Sequence, residues 1–247
     1  MLYSNQNKLE TSWFNAIPSG YKSQILNELL RIRIREQIVR YLISAEKGLK
    51  INLSKIIEKF STLDTSRNFS PALYAYQFHL IQSIKSGSVQ ATIDAINQLY
   101  FLSDRDIYDI EFRIESILTE TWENGFIDEI RKSEVIDREG NKIKIYPLLC
   151  FDLENYRNMI HEGFKIIQEL ESDLYDELTT YVTRMKLFRG QVIVGVTAPN
   201  VFGAIYLNIP RGHEIHIGYF LEHLIHEVSH LHLNTLLIHD AIVLNDS

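Results

Sequence analysis

The sequence predicts an α+β chain that is mainly α: a helical N-terminal half, then a small antiparallel sheet packed on a long helix and on a C-terminal helix that carries HExxH. Three observations predict this. Apolar residues recur at three- and four-residue steps through the first half, the period drops to two around residues 191–209, and the helical period returns after Ile217. Composition agrees, since 247 residues with 45% hydrophobic and 23% charged content can bury a sizeable core and do not read as a disordered, collagen-like or coiled-coil chain.

Taken in order, Ile25, Leu29, Ile32, Val39 and Ile43 form the first stripe. The arginines among them, Arg31, Arg33, Arg35 and Arg40, alternate with Ile and Glu and read as a solvated face. Ser70 before Pro71 is an N-cap with proline at the first helical position, predicting a helix to about Ser86. Helices over 89–102 and 106–130 follow. Val135 and Ile136, then Asp137-Arg138-Glu139-Gly140-Asn141, then Ile143, Ile145 and Tyr146 read as a hairpin. That change of pattern divides the chain into a helical region, 1–133, and an HExxH region, 134–247, or marks the middle of one continuous domain. Ile160, Phe164, Ile167, Leu170, Leu174, Leu178, Tyr181 and Met185 keep one face of a long helix apolar. Residues 191–196 and 202–209 read as two antiparallel strands around Ala198-Pro199-Asn200, and residues 217–236 as the last helix.

Charge and targeting signals narrow the function classes. A formal charge of −7 gives no field for holding a polyanion, so nucleic acid is not an expected partner. The single cysteine, Cys150, excludes an internal disulfide, and within Leu148-Leu149-Cys150-Phe151 it reads as a buried inert thiol. The first 19 residues carry no basic segment followed by an apolar run, and no uncharged apolar run approaches the roughly 18 residues of a membrane span. No membrane partner and a cytoplasmic location are the expectation.

The chemistry is concentrated near the end. Seven of the nine histidines, His213, His216, His223, His226, His230, His232 and His239, fall within 27 residues. Among them, His226-Glu227-Val228-Ser229-His230 has the HExxH spacing, which stacks two imidazoles one helical turn apart with a carboxylate beside them. At about 100° per residue, Leu221, Leu224, Ile225, Val228 and Leu231 share one side, and His223, His226, Glu227, His230 and Asn234 the other. His226 and His230 are therefore the candidate metal ligands and Glu227 the candidate catalytic carboxylate. His223 reads as a residue orienting a ligand or substrate, and His232 as a core histidine. A third ligand is not evident. The offsets at which metzincin-type peptidases place a glycine and a third histidine are occupied by Leu233 and Leu236, and no glutamate follows Glu227 as in thermolysin-like sites. His239, Asp240 and Asp246 are the ligand-bearing residues downstream, and a two-histidine-one-carboxylate set could use either Asp240 or Asp246.

The stretch from about Asp173 to Leu236 resembles the HExxH-motif peptide-modification proteins of peptide natural-product gene clusters. The resemblance lies in a helix like that around Leu174, a strand, a small-residue turn, a second strand like Gly203-Ala204-Ile205-Tyr206-Leu207, and the helix Phe220-Leu221-Glu222-His223-Leu224-Ile225-His226-Glu227-Val228-Ser229-His230. It implies an Fe(II)- and 2-oxoglutarate-dependent oxygenase that hydroxylates the β-carbon of a residue in a ribosomal precursor peptide. His226 and His230 then hold iron, and Glu227 stands behind the metal or faces substrate. The family domain continues past the motif helix and there supplies a further histidine and an arginine for 2-oxoglutarate, positions that do not follow here. Arg189 and Arg211 flank the strands and could clasp a carboxylate, although neither matches a family position and both read first as surface residues. Two other classes remain open: a zinc peptidase or amidase with Glu227 as base, and a peptide-binding scaffold with a vestigial metal site.

Overall fold

The computed structural model describes residues 17–133, 135–136, 140–211 and 214–239, His239 by its backbone alone. α1 (Gly20–Leu49) is a 30-residue helix started by Ser19, whose hydroxyl accepts from the Lys22 amide. Its buried stripe is Leu26, Leu30, Ile34, Ile38 and Leu42, while Leu29 and Ile43 are exposed. The stripe thus lies about one residue away from the expected one. Apolar neighbours such as Leu29-Leu30 and Leu42-Ile43 give two equally good phases, and polar anchors decide between them. Ser23 donates to Glu177 Oε2 at 3.1 Å, and the Asn27 amide donates to the Thr180 carbonyl at 2.6 Å. Arg31 is also not solvated: it is buried and donates to the Thr65 carbonyl and to Asn68 Oδ1. α2 (Ser54–Ser61), α3 (Pro71–Lys85) and α4 (Val89–Phe101) follow, α3 with the expected Ser70 cap and Pro71 in its first turn.

The expected helix over 106–130 is replaced by α5 (Asp104–Ile107), a strand β1 (Arg113–Ser116) and α6 (Glu123–Lys132). β1 pairs parallel with β3 (Arg184–Gln191), a distant partner whose pairing overrides local helical spacing. β2 (Lys144–Pro147) also pairs with β3, antiparallel, instead of folding back on residues 135–136; of the expected hairpin only an isolated Ile136–Lys142 bridge is described, and Asp137, Arg138 and Glu139 lie outside the described residues. The long helix is two, α7 (Cys150–Leu170) and α8 (Ser172–Tyr181). They break at Glu171, where Ser172 and Asp173 open a new first turn, and Met185 belongs to β3. Cys150 is exposed at the start of α7, beside exposed Leu149 and Phe151, so the buried-thiol reading is overturned.

β4 (Gly195–Val196), a 3-10 turn (Pro199–Val201), β5 (Ala204–Asn208) and α9 (Ile217–His239) complete the described chain. The sheet runs β1-β3-β5-β4, with β2 continuing along the β1 edge of β3. It is mixed rather than purely antiparallel: β4 and β5 are antiparallel as expected, but β3 and β5 are parallel, because β4 and the 3-10 turn form the crossover between them. Alternation along β3 gives the sheet two unlike faces. Met185 and Leu187 enter the main core with Leu30, Ile38, Phe164, Leu178, Leu224, Val228 and Leu231, so that core draws on both sides of residue 134. Arg184 and Lys186 point to the other face. There Arg184 clasps Asp109 through Nε and Nη2 at 2.9 and 2.8 Å, and the Lys186 ammonium lies 2.6 Å from Glu115 and 3.3 Å from Glu123. Among the described residues no helix is long and apolar enough to cross a membrane.

Candidate metal centre

α9 is tied down before it presents anything to solvent. Near its start the Tyr219 hydroxyl donates to the Asn208 carbonyl at the end of β5, and near its far end Arg33 donates to the Ile238 carbonyl. Between these ties Phe220, Leu224, Val228 and Leu231 are buried at the helical period, each such side chain contributing roughly 1.5–3 kcal/mol. Gly163 on α7 lets the two helices approach, since a Cβ there would already stand 3.3 Å from Leu221 Cδ2.

With that face fixed, His226 and His230 emerge on the exposed side, one turn apart. Their Nε2 atoms are 3.1 Å apart and the rings meet nearly edge to face at 84°. Two imidazole donors this close can both reach one ion at the ~2.0–2.1 Å of a metal–imidazole bond, so the pair fits half of a metal site. Exposed Ile225 and Leu233 flank it, giving the histidines an apolar border.

Glu227 departs from its place on the helical wheel. It is buried rather than on the open side with the histidines, whereas Ile225, assigned to the core, is exposed. The reason lies in β4. Gly195 pairs with Leu207, and its missing side chain leaves the space that the carboxylate fills: a Cβ there would stand 2.5 Å from Glu227 Oε1. Burial pushes the Glu227 carboxyl above its ordinary value, opposed by a hydrogen bond from the Thr197 hydroxyl and by His230, His226 and His223 nearby. The carboxylate therefore sits beneath the edge strand, next to the histidines and out of bulk water.

His223, half-buried, sets its ring edge-on to Tyr219 at 4.4 Å. His232 sits where a core histidine was expected, 3.1 Å from Glu177 and against the edge of Tyr181. Glu177, which the sequence did not single out, joins three elements by also accepting from the Ser19 amide and the Ser23 hydroxyl; these contacts outweigh burial and hold its carboxyl below the usual range. His216 is exposed ahead of α9. Among the described residues, no third histidine, cysteine, aspartate or glutamate joins the pair. The side chain of His239, and His213, Asp240 and Asp246 entirely, lie outside the described residues. Arg189 is engaged by Asp152 at 2.8 Å, while Arg211 is exposed.

Gly195 and Thr197 are the site residues that sequence reasoning missed. A signal for the first existed, since a lone glycine in a valine- and isoleucine-rich run marks a close approach by another group. No protein-family model and no curated protein matches the chain.

Proposed function

We propose that the chain is a metal-dependent peptide-modifying enzyme, in which His226 and His230 hold Fe(II) and the reaction is 2-oxoglutarate-dependent hydroxylation of the β-carbon of a residue in a ribosomal precursor peptide. The observation that carries a metal centre is the convergence of the two Nε2 atoms, 3.1 Å apart on the open face of a helix that is buried on its other side. The oxygenase form is supported by the resemblance of residues 173–236 to the HExxH peptide-modification proteins; imidazole suits iron and zinc alike. Bound iron with 2-oxoglutarate as the two-electron reductant would activate dioxygen, the oxidant that functionalises an unactivated carbon. The chain's own part is positional. His226 and His230 offer their imidazole nitrogens, Glu227 is buried beneath β4, and Ile225 and Leu233 offer apolar contact to an incoming peptide.

A second reading, a zinc peptidase or amidase, is favoured by Glu227 specifically. A carboxylate raised by burial is a better proton acceptor near neutral pH than a solvated one, and it could take a proton from water and return it to the leaving amine. Anaerobic titration of the Fe(II)-loaded chain with 2-oxoglutarate separates the readings. The oxygenase expects a weak visible charge-transfer band that saturates and is absent from His226→Ala, with Glu227→Gln retaining iron and partial turnover. The hydrolase expects no band, and Glu227→Gln with zinc retained but hydrolysis nearly abolished. A scaffold keeps its partner after both histidines are replaced.

A further inference from the structure

At the end of β3 a cavity of about 470 Å³ is lined by Lys144, Tyr146, Arg189, Gly190, Gln191, Pro210 and Arg211. Three of these seven residues are cations and none is acidic, in a chain whose formal charge is −7. The strand register builds the cluster. Lys144 lies opposite Gln191 and Tyr146 opposite Arg189, so all four side chains leave the same face of the β2–β3 ladder. Asp152 neutralises Arg189 alone; among the described residues, Lys144 and Arg211 have no carboxylate partner. Arg189 is itself held in place, donating to Asp152 at 2.8 Å and to the Ile209 carbonyl at 3.4 Å.

This face is the one on which α7 and α9 pack, because Arg189 alternates in phase with Met185 and Leu187. One residue joins the cavity to the metal helix. The Asn208 side chain bonds the amide and carbonyl of Gly190 at 2.8 and 3.2 Å, and its own carbonyl accepts from Tyr219 in the first turn of α9. From Tyr219 to His226 the helix rises on the order of 10 Å, which an extended peptide covers in three to four residues.

We propose that this cavity holds the carboxylates of an acidic segment of the peptide substrate, three or more residues from the position that meets His226 and His230. In naming the occupant as substrate the assignment rests on the function proposed above, but its binding step needs no metal. Guanidinium groups clasp carboxylates with two parallel hydrogen bonds, and Lys144 adds a point charge opposite them.

The test uses the whole chain without added metal. Fluorescently labelled twelve-residue peptides, one with four consecutive glutamates in a Gly/Ser background and one with four glutamines, are titrated at about 50 mM salt and followed by anisotropy. The glutamate peptide is expected to bind at least tenfold more tightly. Arg211→Glu and Lys144→Glu should each weaken it about tenfold, the loss of one charge-assisted contact. Arg40→Glu, an equal charge change at an exposed position on α1, should weaken it less than twofold. His226→Ala should bind as the parent does, so that failure of the metal reading leaves this result intact. Equal binding of the two peptides, or equal weakening by Arg40→Glu, overturns the proposal. So does displacement of the peptide by submillimolar 2-oxoglutarate or inorganic phosphate whose own binding is lost in Arg211→Glu, which assigns the cavity to a free small anion.

Discussion

Replacing Gly195 with alanine should damage turnover while sparing the fold and the metal pair. The new Cβ would stand 2.5 Å from Glu227 Oε1, and restoring the 3.4 Å of ordinary contact moves the carboxylate by about 0.9 Å. The atom that must yield is the tip of a flexible side chain, with Leu207 Cδ2 at 3.2 Å adjusting slightly, so the cost in stability should be about 1 kcal/mol or less. In a chain of this size that lowers Tm by roughly 2–4 °C. A catalytic group displaced by about 1 Å can lose on the order of 100-fold in rate, so kcat should fall ten- to a hundredfold under the hydrolase reading, where Glu227 moves the proton, and by less under the oxygenase reading, where Glu227→Gln itself keeps partial turnover. His226 and His230 are anchored by the opposite face of α9, so metal affinity should stay within about threefold of the parent's, a difference below 1 kcal/mol. Three measurements on one preparation check this: steady-state turnover, metal titration by calorimetry, and differential scanning calorimetry. Wild-type kcat with the small Tm loss would refute any role for the position of the Glu227 carboxylate. Loss of cooperative unfolding would refute the claim that only its tip moves.

Two further predictions concern the buried charges. Lys186→Ala leaves Glu115 and Glu123 facing each other without their cation, in a place where the Lys186 and Glu123 side chains are fully buried, and should cost about 3–5 kcal/mol in urea unfolding. Adding Glu123→Gln should recover part of this, and strict additivity would show that the two groups do not interact. In acid, Asp109 and Glu177 should dominate the loss of stability. For both, burial raises the carboxyl, but the contacts of Asp109 with Arg184, Thr183 and Arg113, and those of Glu177 with His232, Ser19 and Ser23, outweigh it and leave it lowered. A carboxyl lowered in the folded state stabilises above its unfolded value, here 3.8 for aspartate and 4.5 for glutamate, and that contribution disappears as pH falls through the folded values. Glu123, raised chiefly by burial, has the opposite sign: its destabilisation is relieved earlier, as pH falls through its raised folded value toward 4.5. The pair Asp109→Asn, Glu177→Gln should therefore flatten urea midpoints below about pH 5, and an unchanged acid slope would refute the assignment.

What was legible in the sequence was local. The Ser70–Pro71 start of α3, the span of α4 and the position of α9 follow from caps and periodicity within a few residues, and the structure has them there. β1 was not legible, because its partner Arg184–Leu187 lies some 70 residues away and its own residues fit a helical spacing equally well. For the same reason nothing in the sequence marks Arg184 and Lys186 as buried: only the strand pairing and α6 reveal that their face of the sheet is covered. The phase of α1 was ambiguous until Ser23 and Asn27 found Glu177 and Thr180 across the fold.

The misplacement of Glu227 bears most directly on function. On a helical wheel a glutamate between His226 and Val228 sits at the boundary of the two faces, and ordinary reasoning sends a carboxylate to water. Here it turns inward, which costs desolvation that Thr197 and the neighbouring histidines only partly offset. A surface helix that merely carries histidines would gain by leaving that carboxylate in solvent. A glycine placed in an edge strand to receive it, and a threonine two residues on to hydrogen-bond it, form an arrangement that stability alone does not favour. Such arrangements are found where a charged group must be held in one position beside reacting atoms. The proposed function places those atoms at the two histidines, and their 3.1 Å convergence next to a buried carboxylate supports that proposal more strongly than the five-residue motif does.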